Sequence, residues 1–314
     1  MTYYTKLSLK EVKEIAANYG FARLTNYKIL SGGSENTNYL VEAETVKFVL
    51  TICEQKTPKE ANDLARLLVH LEEHNFSTSK IIRTQENKAI SFWNGKPVMV
   101  KNFLEGRTLE DLPDNLLKSI GKELGKLHQI PAPDYLPVSL NYGLECFAEI
   151  EKYAAGSPYH VWLQKKQDYI EKHISEKLPK ALIHSDVFYS NVIVSKEDSS
   201  AIIMDFEEAC NYYRIFDIGM AIIGLCKEGE GINLQKVKHL LEGYADEITL
   251  IPTELNSLKA FVVYAATAMS FWRHKNFNYV NPTPELYDHY KALKTVADYV
   301  DSLPSDCFSS LLKY

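Results

Sequence analysis

The sequence predicts an α+β chain of two lobes, a small antiparallel-sheet lobe followed by a larger, mainly helical one. Three observations predict it. Short β-rich runs separated by turn residues crowd the first third, helical spacing dominates the remainder, and one hydrophobic hairpin near 191–205 interrupts the helices. At 314 residues, with 46% hydrophobic and 24% charged residues, the chain has the length of about two domains and an ordinary globular composition. The lobes are expected at 1–103 and 104–314, meeting near Asn102–Gly106.

Residues 9–19 read as a first helix, with Ser8 as its N-cap and Gly20 just beyond its end. Residues 26–31, 38–42 and 47–52 then read as strands of a meander. Helical spacing returns over 58–74, where Ala61, Leu64, Ala65, Leu68 and Leu71 share a face and Pro58 sits in the first turn. Two more strands, near 81–83 and 97–103, flank the turn Trp93-Asn94-Gly95. Beyond Leu116, helices are expected at 115–128, 145–154, 160–176, 233–245, 254–274 and 284–302.

Several function classes drop out early. A formal net charge of −6 with no Lys/Arg block argues against nucleic acid or an acidic membrane surface as the main partner. The polar start, residues 1–10, lacks the apolar run of a signal peptide, and the apolar stretch 260–272 is broken by Thr267 and Ser270 and too short to span a bilayer. Cys53, Cys146, Cys210, Cys226 and Cys307 are odd in number and scattered, which fits reduced thiols in a cytoplasmic protein.

The chemistry concentrates in 182–208. Two apolar runs, 192–194 and 201–204, enclose the turn-rich Lys196-Glu-Asp-Ser-Ser200, a hairpin signal centred near Asp198. Asn191 and Asp205 lie seven residues from that centre on either side, so without a bulge they face each other across the strands. An amide oxygen and a carboxylate converging on one point begin a hard-cation site, and Mg²⁺ needs little more from protein when phosphates complete its shell. Asp186 enters the hairpin from the preceding loop and suits the base that takes a proton from an attacking hydroxyl. The competing reading makes His184 and Asp186 turn caps and 201–208 a strand ending in a solvated acidic loop; Asp205, placed symmetrically and followed by Phe206-Glu207, weighs against it. His184 and Asp217 read as structural, with Asp217 accepting backbone N–H groups of the catalytic loop.

His184-x-Asp186-x4-Asn191 with Ile203-Met-Asp205-Phe-Glu207 resembles the catalytic and metal motifs of the aminoglycoside phosphotransferase/choline kinase superfamily, and more closely those of type II homoserine kinases. Gly33-Ser-Glu-Asn-Thr-Asn-Tyr39, Phe48-Val-Leu-Thr-Ile-Cys-Glu54, Asp205-Phe-x-x-Ala-Cys210, Phe216-Asp217 and Phe271-Trp272 extend the likeness over roughly residues 20–300. The resemblance implies a protein-kinase-like fold and ATP with Mg²⁺ as cofactors. It implies Asp186 as the base and Asn191 with Asp205 as metal ligands. It also implies a phosphate-covering turn with Gly33, Ser34 and Asn36, and backbone groups near Lys101 and Phe103 toward adenine. Two departures stand out. Thr51 occupies the strand position where many relatives carry a phosphate-binding lysine or arginine, leaving Lys47 or Lys56 as substitutes and Glu60 as a partner for such a cation or a solvated helix-start residue. Glu207-Glu208 follows Asp205-Phe206 where a homoserine kinase is expected to carry an aromatic, a choline-kinase-like feature.

Two acceptor classes follow. Glu207 or Glu208 could pair with a substrate ammonium, and Arg273 beside Trp272 could pair with an amino-acid carboxylate or, equally, be a helix-packing residue with an exposed charge. Phe188, Tyr189, Tyr212 and Tyr213 could instead cage a quaternary ammonium or form a cleft wall. The expectation is ATP-dependent phosphorylation of homoserine, with choline, ethanolamine or another amino alcohol, or an aminoglycoside, as the alternative. A third reading is a catalytically silent relative that binds a nucleotide or metabolite.

Overall fold

In the computed structural model, residues 5–30, 36–44 and 46–312 are described. The chain forms two compact units, Met1–Glu105 and Gly106–Tyr314.

The first unit is a sheet backed by helices. Helix α1 (Leu9–Ala17) begins in a capping box, in which Ser8 and Glu11 satisfy each other's backbone N–H groups. The strands are β1 (Asn26–Leu30), β2 (Asn36–Ala43), β3 (Val46–Cys53), β4 (Ile81–Ile82), β5 (Ser91–Trp93) and β6 (Lys96–Asn102). They are antiparallel in the order β1-β2-β3-β6-β4, with β5 also on β6. Val12, Ile15 and Ala16 of α1 join Val41, Phe48, Leu50, Ile52, Val98 and Val100 of the sheet in one buried cluster. Burial of such side chains is worth about 1.5–3 kcal/mol each, enough to fix register, because a one-residue slip would expose the whole set. Helix α2 (Pro58–Glu73) starts with Pro58 behind Thr57, whose hydroxyl forms a second capping box with Glu60. The nearly buried Glu54 is held by Lys96, the Thr37 hydroxyl (2.5 Å) and the Thr5 N–H (2.8 Å).

The second unit is mainly helical: α3 (Asp114–Leu127), α4 (Glu151–Ala154), α5 (Pro158–Glu171), α6 (Arg214–Leu225), α7 (Leu234–Ala245), α8 (Pro252–Lys275) and α9 (His289–Ser302). Its short strands are β7 (Lys180–Ile183), β8 (Val192–Val194), β9 (Ala201–Ile203), β10 (Cys210–Tyr213), β11 (Lys227–Glu228) and β12 (Gly231–Ile232). They pair as β7 with β10, β8 with β9 and β11 with β12. The middle of α8, from Ala260 to Ala268, is buried on every side and forms the axis of this unit's core. Among the described residues, no helix is long and apolar enough to cross a membrane.

The structure departs from the sequence expectation at several elements. Helix α6 was not foreseen, because ten of its twelve residues are buried and the polar stripe that reveals a helical period is missing. The expected helix at 145–154 is a 3₁₀ segment, Leu144–Ile150, running into the short α4. The expected helix at 160–176 begins earlier, where Ser157 caps Pro158, and ends at Glu171. The last helix starts at His289 rather than 284, after a π turn at Asn276–Val280 and a 3₁₀ turn at Pro284–Leu286.

Candidate active site

The 182–208 segment is built on two strands and anchored by a helix. β7 and β10 pair antiparallel, with Ile183 opposite Cys210, and α6 begins directly after β10. Asp217, in the first turn of α6 and fully buried, accepts the backbone N–H groups of His184 (2.9 Å) and Ser185 (2.7 Å). It also accepts from His128 Nε2 at 3.1 Å, while His128 Nδ1 accepts from the Tyr244 hydroxyl at 2.9 Å. Burial works against the Asp217 charge, but these donors outweigh it and hold the carboxyl below the usual range. A carboxylate with several converging donors is a rigid anchor, and it sits directly beneath the start of the loop.

The loop itself is strained and fully tied. Ser185 has a left-handed φ of +67°, its hydroxyl donates to the Glu208 carbonyl (2.7 Å), and its own carbonyl accepts from Tyr142 Oη (2.5 Å). The Asp186 N–H donates to His184 Nδ1 (3.2 Å), so the other nitrogen, Nε2, carries the proton and donates to the Met204 carbonyl (2.9 Å). Buried between two backbone partners, His184 ties the loop to the Met204 carbonyl.

Asp186 is half-buried, and Asn191 Nδ2 donates both to its carboxylate (2.9 Å) and to its carbonyl (2.8 Å). Burial pushes the Asp186 carboxyl above the usual range, while the Asn191 amide and the Arg273 guanidinium favour its charged form. An acid raised in this way is a stronger base once ionised. Because the Asn191 amide nitrogen is committed to Asp186, the acceptor left on this buried side chain is Oδ1, which takes no hydrogen bond among the described residues.

The hairpin corrects one expectation. Val192 pairs with Ile203 and Val194 with Ala201, so Asn191 lies opposite Met204, whose N–H donates to the Asn191 carbonyl (2.9 Å). Asp205 is one residue further on and is not the cross-strand partner of Asn191. The hairpin closes on Ser195 and Ser200, with the Ser195 N–H donating to the Ser200 carbonyl (3.0 Å) and Asp198 left-handed at φ +51°. The centre therefore falls between Glu197 and Asp198 rather than on Asp198. Asp205 leaves strand geometry at φ +71° and is exposed. Among the described residues, no cluster of three or more His, Cys, Asp or Glu forms a complete metal cage. An amide oxygen plus a nearby carboxylate, without a cage, is the donor set Mg²⁺ takes when phosphates supply the rest.

Two charged groups of opposite sign neighbour this loop, Arg273 in electrostatic reach of Asp186 and Glu208 in reach of the same Tyr142. Glu207 and Glu208 are half-buried, and Glu208 Oε2 accepts from Asn141 Nδ2 at 3.1 Å. Burial pushes the Tyr142 hydroxyl far up, and the charges of Asp186 and Glu208 push it the same way. Trp272 and Arg273 lie near the C-terminal end of α8, where Trp272 packs edge-on against Phe277. The Arg273 guanidinium lies over the Phe188 ring at 5.6 Å and reaches His289 Nε2 at 3.5 Å. Among the described residues, no carboxylate lies within ion-pair distance of it, although burial pulls its pKa down.

In the first unit, Gly33 and Ser34 lie outside the described residues. Asn36 is buried at the start of β2 opposite Cys53. Lys47, half-exposed on β3, faces Glu42 (4.0 Å) and Glu105 (3.6 Å). The Phe103 N–H donates to the Lys47 carbonyl (3.3 Å), and Lys101 sits opposite Val49. Thr51 is fully buried and donates to Asn38 Oδ1 across the strands (2.7 Å). Glu60 is the capping-box acid of α2. Sequence reading missed His128, Asn141, Tyr142 and His289; each lies far in sequence from the motif it serves, and no local spacing marks it.

The chain has known counterparts. The family model for the phosphotransferase enzyme family matches residues 26–247. The chain is 26% identical over 297 residues to a homoserine kinase of Paramagnetospirillum magneticum, covering 90% of each chain. It is 29% identical over 273 residues to a homoserine kinase of Agrobacterium fabrum, covering 82% of each. Among solved structures, an aminopropanol kinase associated with a microcompartment aligns with a TM-score of 0.74 at 15% identity, over 97% of this chain and 100% of that one. An amicoumacin kinase in complex with AMP-PNP, Ca²⁺ and Ami aligns with a TM-score of 0.74 at 17% identity, over 98% of each. These likenesses carry the kinase-like fold, a sheet-rich N-terminal region followed by a mainly helical C-terminal one. With well over half of its length matched, the chain belongs to the phosphotransferase enzyme family and is a phosphotransferase that acts on an alcohol group.

Proposed function

We propose that the protein is an ATP-dependent, cytoplasmic homoserine kinase, with Asp186 as the base, Asn191 and Asp205 holding Mg²⁺, and 1–103 and 104–314 as nucleotide-binding and catalytic lobes. In the reaction the acceptor hydroxyl gives its proton to Asp186 while its oxygen bonds to the terminal phosphorus. The bond from that phosphorus to the bridging oxygen breaks, and ADP leaves. When bound, Mg²⁺ neutralises charge across the phosphates. Gly33, Ser34, Asn36, Lys47, Lys101 and Phe103 are assigned to the nucleotide by family resemblance.

The observation that supports the catalytic part is the Asn191–Asp186 clamp (2.9 Å): it commits the amide nitrogen to the proposed base and leaves Oδ1 for the cation. For the acceptor, the relatives named homoserine kinase point to an amino acid, and Arg273, a cation near Asp186 with no carboxylate in ion-pair distance among the described residues, suits the substrate carboxylate. Glu208, in electrostatic reach of the same Tyr142 as Asp186, suits the ammonium, with Glu207 and Trp272 completing the acceptor side.

An ADP-release assay with purified protein, ATP and Mg²⁺ over homoserine, choline, ethanolamine, aminopropanols and aminoglycosides tests this. Homoserine is expected to give the highest kcat/KM. Activity on choline or ethanolamine with none on homoserine would overturn the substrate. A Mg²⁺-dependent thermal shift with ATP but no phosphorylated product from any acceptor would favour a silent nucleotide binder.

A further inference from the structure

We infer that His289 is a specificity-determining residue, which together with Arg273 selects an acceptor carrying a carboxylate over the same molecule without one. The inference rests on the amino-acid reading of the acceptor. Arg273 offers five N–H donors, and the protein spends them lightly: Nη1 reaches His289 Nε2 at 3.5 Å, a long contact. Phe188, two residues beyond Asp186, lies beneath the guanidinium at 5.6 Å and restrains its plane, leaving the donor edge for a planar anion. His289 opens α9, is exposed, and packs its ring 5.8 Å from Phe277, which in turn meets Trp272. The pieces come from three places in sequence, the catalytic loop, the end of α8 and the start of α9. The π turn at Asn276–Val280 shapes the chain between the last two.

His289 faces the guanidinium as an acceptor, which requires a neutral ring with its proton on Nδ1; partial burial of the ring and the Arg273 charge push its pKa down in the same direction. A carboxylate seated on Arg273 takes over the Nη1 hydrogen. The ring's one proton then passes through solvent from Nδ1 to Nε2, and His289 presents Nε2–H to the second carboxylate oxygen, so the anion is held by two residues from two helices. An amino alcohol has nothing to place there and leaves Arg273 poorly paired, which counts against it in binding.

The sharpest comparison is between L-homoserine and 3-aminopropan-1-ol, which is homoserine without its carboxylate. Their kcat/KM ratio is measured for the full chain and for His289→Ala and His289→Gln. We expect the wild type to favour homoserine by well over tenfold and His289→Ala to cut that ratio by about tenfold, mainly through KM, on the scale of one charge-assisted hydrogen bond. Glutamine, with a donor at similar reach, should recover part of it. As His289 is exposed, both variants should melt with the wild type; if alanine does not, the glutamine ratio decides alone. An unchanged ratio in the variants overturns the role of His289. A wild type that phosphorylates homoserine yet does not discriminate overturns the carboxylate contact while leaving the kinase reading standing. A wild type inactive on homoserine overturns both.

Discussion

The catalytic loop and the end of α8 lie side by side in the second unit and are built on opposite plans. In the loop, Asp217 takes two backbone N–H groups, His184 bridges two backbone atoms, Tyr142 caps Ser185, and Asn191 grips Asp186 twice. At the end of α8, Arg273 has, among the described residues, one long hydrogen-bond contact, a ring beneath it and the Asp186 charge in reach. The contrast separates two tasks. Groups that do chemistry are fixed in advance, since geometry lost by an ångström costs rate, whereas a recognition group keeps its donors for what it recognises.

The largest effect should come from the fixed side. Asp186→Ala is expected to lower kcat by about 10²–10⁴-fold, the usual contribution of general base catalysis, with the fold intact by circular dichroism. Near-normal turnover would remove Asp186 from its role. In the wild type, the acid limb of the kcat/KM profile should lie above the ordinary aspartate value of about 3.9, because burial raises this carboxyl.

Displacing the loop without touching its polar groups tests whether rigidity itself matters. A Cβ on Gly224 of α6 would stand 2.1 Å from the Val187 carbonyl and 3.0 Å from the Phe188 Cα, so either α6 or the loop must move. Gly224→Ala should lower kcat by up to about 100-fold and stability by about 1–3 kcal/mol. A variant with kcat within twofold of wild type would show that the loop tolerates displacement. On the open side, Arg273→Ala should reduce kcat/KM for homoserine by about 10–100-fold, the worth of a hydrogen-bonded charge of about 1.5–3 kcal/mol, while barely changing thermal stability because, among the described residues, no carboxylate lies within ion-pair distance of it. A large loss of stability with little loss of efficiency would make Arg273 a packing residue.

The two sides also differ in how far the sequence revealed them. The meander, α1, α2 and the 192–203 hairpin were legible because alternation, capping residues and turn residues act locally, and Asp186 with Asn191 stood out within a single loop. Helix α6 was hidden by uniform burial, and β7 with β10 by being short strands whose partners lie about thirty residues apart in sequence. The register of the hairpin was misread by one residue because the Ser195 hydroxyl, accepting from the N–H groups of Ser199 (3.2 Å) and Ser200 (3.3 Å), sets the turn off the apparent centre. His289 was illegible because its meaning comes only from Arg273, sixteen positions away across a π turn.

The smallest expected effect concerns the cost of holding the base in place. Burial of Asp186 outweighs the help it receives from Asn191 and Arg273, so its folded carboxyl titrates above its unfolded one. A group raised in this way contributes stability that is whole below the unfolded value of about 3.9 and is lost as pH climbs through the folded value. At neutral pH the ionised base is therefore a liability, and Asp186→Asn, which cannot ionise, should melt higher than wild type by a few degrees at most. The gain should shrink as pH falls and vanish near pH 4, where the wild-type carboxyl is protonated as well. Melting both proteins from pH 4 to 8 measures it. If Asp186→Asn melts lower at neutral pH, Arg273 and Asn191 depend on the charge more than burial opposes it. The loop and the end of α8 would then be a coupled pair rather than two separate designs.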